Sequence, residues 1–281
     1  MKLPALLITL SLSLSLTSSR ADDAPLVRTW TPLFNGISHG SFQLSEPRLI
    51  RAEVLKIDLA AKGLQFLTTP DNGTRDGETD AITTSTFLTN EKCQAAINAA
   101  PFDKVYANPG GPENVQGLMR RNNQTISPPD GQPCLAITAN LTASIHHDDH
   151  GAPESATTVV SGFAVLLRDG TITGKDTKLH PRTGAGVSAD GKTLWLITID
   201  GRQSKWSGGA TTPEMAAWLQ SLGADDAINL DGGGTTTMVI ASPDGKPRIL
   251  NRPIHLGIPG RERPSGSHLG IIASPLTPPK N

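Results

Sequence analysis

Three short polar segments interrupt apolar runs in the second half of this 281-residue chain: HPRTGAG at 180–186, TIDGR at 198–202 and NLDGGGTT at 229–236. A strand that ends on such a segment keeps its body buried while its last side chains project into a cleft. Between them the segments carry two guanidinium groups, Arg182 and Arg202, two carboxylates, Asp200 and Asp231, and the amide of Asn229. In the third segment Asp231 is followed by Gly232, Gly233 and Gly234 and then by the hydroxyl of Thr235. Successive glycines let a ligand approach the backbone closely, and their N–H groups can cradle a phosphate or another anionic oxygen. The plainer alternative is structural: Asp-Gly at 200–201 ends a hairpin, and the glycine run closes another.

The elements that must position these residues follow from periodicity. Leu55, Ile57 and Leu59 alternate with Lys56 and Asp58, the two-residue period of a half-buried strand, and Leu64–Leu67 adds a second. Ser85–Lys92 is expected as a short helix delivering the chain to a buried strand, Ala95–Asn98, which ends on a polar amide. Ala185–Ser188 and Thr193–Ile199 flank Asp190-Gly191, a tight hairpin signature. Thr211, Pro213 and Glu214 open a helix, Met215, Trp218, Leu219 and Leu222 form its apolar face, and Gly223 ends it. Ala227–Leu230 and Thr236–Ala241 are expected to be strands meeting at the glycine run. The fold class expected from this pattern is α+β, a mixed, mainly antiparallel central sheet with a few covering helices.

Composition narrows the function. With 25 Lys plus Arg against 26 Asp plus Glu, the net charge of −1 leaves no excess of cations for nucleic acid or an anionic membrane. Lys2, the apolar run Leu3–Leu16 and the small residues Ser19 and Ala21 read as a cleavable secretory signal over 1–21, too short to span a bilayer. Its removal takes the charge to −3 and leaves 22–281 as one domain with no stable membrane insertion. Export permits a disulfide between Cys93 and Cys134, the two cysteines of the chain. Closing a loop of that size restricts the unfolded chain by about 4 kcal/mol on the chain-entropy model. No cofactor or metal is expected. The run from His146 to His150 lacks the spacing of a zinc site, and Asp225, Asp226 and Asp231 can hold a hard cation such as Ca²⁺ but match no EF-hand pattern.

The stretch HPRTGAGVSADGKTLWLITIDGR followed by SGGATTPEMAAWLQSLGADDAINLDGGGTTTMV resembles the phosphodiester glycosidase family. Weaker likeness lies in AEVLKIDL, AAINAAPFD and the closing NRPIHLGIPGRERPSGSHLGI, so that the resemblance spans about Arg51 to Ile272. It departs at Thr235-Thr236, where Ser is frequent, and at Ala100-Pro101-Phe102, which replaces a more aromatic pair. The resemblance implies hydrolysis of a sugar 1-phosphodiester, or of a glycosyl-phosphate polymer, at the anomeric carbon. Arg182 and Arg202, aided by the N–H groups of Gly232–Gly234, would bind the phosphate. Asp231 or Asp200 would be the catalytic carboxylate, and Asn229 and Asn98 would hold sugar hydroxyls or an acetamido group. Two alternatives stay open: a non-catalytic binder of glycosyl phosphates or cell-envelope polymers, and a hydrolase of an ordinary glycosidic bond or of the P–O bond.

Overall fold

The computed structural model describes residues 26–146 and 151–276. The signal-like segment, and His147–His150 of the histidine-rich run, lie outside the described residues.

The fold departs from the α+β expectation. Every strand pairing is antiparallel, the strands gather mainly into sheets of eight, five and five, and two α-helices, Thr84–Asn90 and Thr212–Leu222, are present among the described residues. The chain is mostly β because Gly and Pro break it into short segments. Too few of these carry the apolar period that a covering helix needs.

The eight-stranded sheet runs in the spatial order Thr31–Phe34, Ile37–Leu44, Ile50–Asp58, Thr193–Ile199, Arg182–Val187, Asp226–Asn229, Ala164–Arg168, Thr171–Ile172. Both faces of its centre are buried, and alternation sorts the side chains. Leu55, Ile57, Leu194 and Leu196 face a core shared with the two smaller sheets, where Ile97, Leu135, Ile240 and Leu269 meet them. Val54, Trp195, Ile197 and Ile199 face the opposite way, onto Met215 and Leu219 of the longer helix. That helix starts on a reciprocal cap between Thr211 and Glu214 and stops at Gly223, whose φ of 107° suits glycine. Trp218 is half-buried, edge-on to Phe42 at 5.3 Å.

The expected disulfide is absent. Cys93 packs under the shorter helix with Phe87, Ala96 and Val239, whereas Cys134 belongs to a separate apolar cluster with Leu118 and Val159. Burial pushes the Cys93 thiol up to about 12, so it behaves as a small core hydrophobe. Two cysteines downstream of a signal-like segment suggest a pair, but pairing depends on where the sheets carry them.

Candidate functional site

The site forms where the Arg182–Val187 and Asp226–Asn229 strands lie side by side, with Gly184 opposite Asn229. Beyond Asn229 the chain leaves the sheet and is held in place by backbone bonds: Leu230 N–H to Thr183 O at 2.9 Å and Asp231 N–H to Ala99 O at 2.8 Å. The first bond ties the segment to the large sheet, the second to the end of Ala95–Asn98 in a smaller one. Asp231 therefore sits at the seam between sheets.

Around it lies a cavity of about 250 Å³ whose walls include His180, Arg182, Arg202, Asn229, Asp231 and Arg263. Asp231 is the one carboxylate among its described lining residues. Burial pushes the Asp231 carboxyl up to about 6, against the opposing pull of the Thr235 hydroxyl, the Arg263 charge, the Gly232 N–H and the Arg202 charge. Thr235 Oγ1 lies 2.6 Å from Asp231 Oδ2 and donates to it.

Asn98 is fully buried and anchors this corner. Its amide donates to Asp231 O at 2.7 Å and to Thr235 Oγ1 at 3.3 Å, while its oxygen accepts from Thr183 Oγ1 at 2.8 Å and from Thr237 N–H at 3.1 Å. With amide and carbonyl both engaged, Asn98 orients Asp231 and Thr235 and does not line the cavity. Asn229 differs. It is 4% exposed, lines the cavity, and its Oδ1 has no hydrogen-bond partner. An unmatched buried acceptor costs about 1–3 kcal/mol, which a ligand hydroxyl or amide would recover.

The glycine run acts differently from the N–H cradle expected of it. Gly233 N–H donates to Pro181 O at 2.9 Å, and Gly232 N–H faces the Asp231 carboxylate. What the glycines supply is space. A Cβ on Gly233 would stand 3.1 Å from Arg202 Nη2, and one on Gly234 only 2.5 Å from Arg263 Nη2, so two guanidinium groups lie directly over the loop backbone. Arg202 itself has φ 59°, an unusual backbone for a non-glycine residue, and this bends the chain just after Asp200-Gly201. Its Nη2 meets His180 Nδ1 at 3.3 Å. Burial holds the Arg263 pKa below the usual arginine range against the pull of the Asp231 carboxylate, and the neighbouring Arg202 charge adds to the lowering. Two cations over one loop, neither in a salt bridge among the described residues, make this corner electrostatically suited to an anion. Burial together with Arg182 and Arg202 also lowers the His180 pKa, keeping that imidazole neutral at pH 7.

Arg182 and Asp200 are placed otherwise than expected. Arg182 lines the cavity, but its Nε donates to Ala210 O at 3.0 Å and its Nη2 to Asp176 Oδ2 at 2.7 Å and Lys178 O at 2.8 Å. That hydrogen bond holds the Asp176 carboxyl below its ordinary range, and the Arg182 charge is largely spent on the loop. Asp200 is 3% exposed and does not line the cavity. Its oxygens accept from Trp206 Nε1 at 2.7 Å, Asn251 Nδ2 at 3.0 Å and Arg252 N–H at 2.9 Å, which ties two loops together. Burial raises its pKa while these donors oppose the rise. Of the acids considered for a cation, Asp225 and Asp226 gather with Asp169, their ligand atoms within 4.8 Å of one another. Asp231 lies beyond the far end of the same strand, and Arg168 pairs with Asp226 at 3.2 Å.

Sequence reasoning does not single out Arg263, His180 or Phe163. Arg263 lies inside the closing segment of the family resemblance, yet nothing in Arg-Glu-Arg-Pro distinguishes a site arginine from a surface one. Phe163, 49% exposed at the cavity mouth, is a large apolar residue in an unexpected place.

An antiparallel β scaffold thus gathers one carboxylate and two guanidinium groups without a salt bridge among the described residues in a small cavity, an arrangement suited to an anionic ester beside a carboxylate. The chain belongs to the phosphodiester glycosidase family, whose model matches residues 91–272. Among solved structures it is similar to the catalytic domain of zebrafish N-acetylglucosamine-1-phosphodiester α-N-acetylglucosaminidase, auto-inhibited by its pro-peptide. The TM-score is 0.66 with 18% identity, over 86% of this chain and 84% of that one. It is also similar to a candidate exported protein of Burkholderia pseudomallei, with TM-score 0.58 and 18% identity over 80% of this chain and 74% of the other. A hypothetical protein from Synechocystis matches with TM-score 0.56 and 14% identity, over 88% of this chain and 64% of the other. At these identities the likeness is one of fold. No curated protein sequence matches.

Proposed function

We propose that this protein is an exported, single-domain hydrolase that cleaves a sugar 1-phosphodiester at the anomeric carbon, releasing free sugar and a phosphomonoester. The observation that carries the reading is Asp231 flanked by the unpaired Arg202 and Arg263 in one cavity. The arginines bind the phosphate oxygens and stabilise the negative charge that grows as the C–O bond breaks. On the sugar side the transition state resembles an oxocarbenium ion, and the ionised Asp231 carboxylate stabilises its positive charge. A water oxygen bonds to the anomeric carbon as the C–O bond to phosphate breaks, its proton passing to solvent.

The phosphate reading also accounts for the absence of a second carboxylate among the described lining residues. Ordinary glycoside hydrolysis uses a carboxyl pair, one member of which protonates a poor leaving group. A phosphomonoester leaves as a stabilised anion, so that proton is dispensable and cations serve in its place. Asn229 Oδ1 accepts from a sugar hydroxyl or amide. Export rests on the signal-like segment over 1–21, and among the described residues no helix is long and apolar enough to cross a membrane.

The test is product analysis on a panel of sugar 1-phosphodiesters. Free sugar plus phosphomonoester is the expected outcome. Sugar phosphate as product would assign P–O cleavage instead, and ligand bound but recovered intact would assign a binder.

A further inference from the structure

A second cavity, of about 820 Å³, adjoins the first. The two share Phe163, Arg182 and Asn229 as a common wall, whereas Arg202, Asp231 and Arg263 line the smaller one alone. The smaller, at about 250 Å³, falls below the roughly 300–1,000 Å³ of sites that hold drug-sized ligands, and the larger falls inside that range.

With the phosphate on Arg202 and Arg263 and the anomeric carbon at Asp231, we place the sugar ring, rather than the other alcohol of the diester, on the side of Asn229 and Phe163, which the smaller cavity shares with the larger. Asn229 Oδ1, buried and without a partner, meets that ring's polar edge, and the exposed face of Phe163 offers an apolar surface for its C–H groups. Beyond this wall the larger cavity is lined by Ala164 and Val165 together with the polar groups of Arg168, Thr173, the exposed Lys175, Asp176 and Thr212. Apolar surface among hydroxyl, carboxylate and cationic groups suits another sugar.

We infer that the larger cavity is a subsite for a second sugar ring, so that the substrate class is an oligosaccharide 1-phosphodiester extended at its non-reducing end. The inference rests on the proposed reaction for its direction. Its test uses the full chain and two matched probes, a monosaccharide 1-phosphodiester and the disaccharide that adds one hexose to its non-reducing end, each with a methyl aglycone. Non-hydrolysable phosphonate versions of both are titrated calorimetrically, and turnover is measured on the esters.

The disaccharide is expected to bind about tenfold more tightly than the monosaccharide. Lys175→Trp, an exposed position where a bulky ring fills the cavity, is expected to erase that preference, and Lys175→Ala to reduce it. Equal binding of the two probes, or a preference that survives Lys175→Trp in folded protein, overturns the subsite. Sugar released from both esters without preference in binding leaves the reaction standing and the subsite refuted. Tighter disaccharide binding, lost in Lys175→Trp, with no sugar released from either ester, leaves the subsite and refutes the reaction.

Discussion

Asp200 and Asp231 begin from the same local sequence, an apolar strand running into Asp-Gly, and end in opposite circumstances. Asp200 is enclosed by the Trp206 indole, the Asn251 amide and the Arg252 N–H, and it ties the loop after one strand to a segment about fifty residues on. Arg51 and Arg252 also face the Trp206 ring, at 3.8 and 5.1 Å from its centre, which reinforces the same corner. Asp231 has a hydroxyl and the Gly232 N–H as donors, and it is the one carboxylate among the described lining residues set against the two arginines Arg202 and Arg263. A carboxylate held by donors from several segments ties structure together. One with fewer donors, in a cavity where cations outnumber it, is available to a ligand.

The largest expected effect separates the two residues directly. Asp231→Asn is expected to lower sugar release at least about 1,000-fold while calorimetry shows phosphonate ligand still bound, because Asn keeps the size but loses the charge. Asp200→Asn is expected to retain activity per folded molecule within about tenfold. A loss there as large as that of Asp231→Asn would reverse the assignment.

Next in size are the cations. Arg202→Ala and Arg263→Ala are each expected to lower kcat/KM about 100-fold, the effect of removing one donor to developing negative charge. Arg182→Ala should act through the Asp176 loop, so its loss should appear as a lower Tm as well as reduced activity. Steady-state kinetics beside thermal melts would distinguish these, and full activity in the Arg263 variant would break the proposed anion site.

Acidity sharpens the comparison further. Asp231 must be ionised to act, and with its carboxyl near 6 the rate should fall as pH drops through about 6. Thr235→Val removes a hydrogen bond to the charged form, which lowers the pKa in the native protein, so this limb should move up by about one unit. A pH profile of kcat/KM for both proteins reads the sign. A limb that moves down would show that the hydroxyl does not act on the ionised carboxylate.

Asp200→Asn should reduce stability by about 1.5–3 kcal/mol, the usual worth of a hydrogen bond to a charged group, measurable by denaturant melts. The smallest effect concerns the cysteines: with Cys93 and Cys134 in separate clusters, a reducing agent should leave Tm unchanged. A clear fall on reduction would restore the disulfide.

Local pattern makes several elements legible in the sequence. The 182–199 hairpin follows from Asp190-Gly191, the helix at 212–222 from its caps, and the buried strand at 95–98 from its apolar run, because turns, caps and alternation depend on residues close together in the chain. The residue types of the site are legible too: Arg202, Asn229 and Asp231 stand at strand ends and line one cavity. Arg263 is not, since it comes from a segment 32 positions beyond Asp231 and reaches the loop only because Gly234 leaves room for it. The α+β expectation fails for a related reason. Strand pairing direction and the stacking of separate sheets are long-range properties on which two-residue alternation is silent.

The sequence alone determined which side chains carry charge, where the chain turns, and that three glycines must admit something close to their backbone. Tertiary structure decided what that something is, the Pro181 carbonyl at Gly232 and two arginine side chains at Gly233 and Gly234, and which carboxylate lies beside them. The physical reason lies in hydrogen-bond saturation: whether an Asp is a tie or a reactive group depends on the donors that distant segments bring to it, and folding brings three to Asp200 while leaving Asp231 beside unpaired charge.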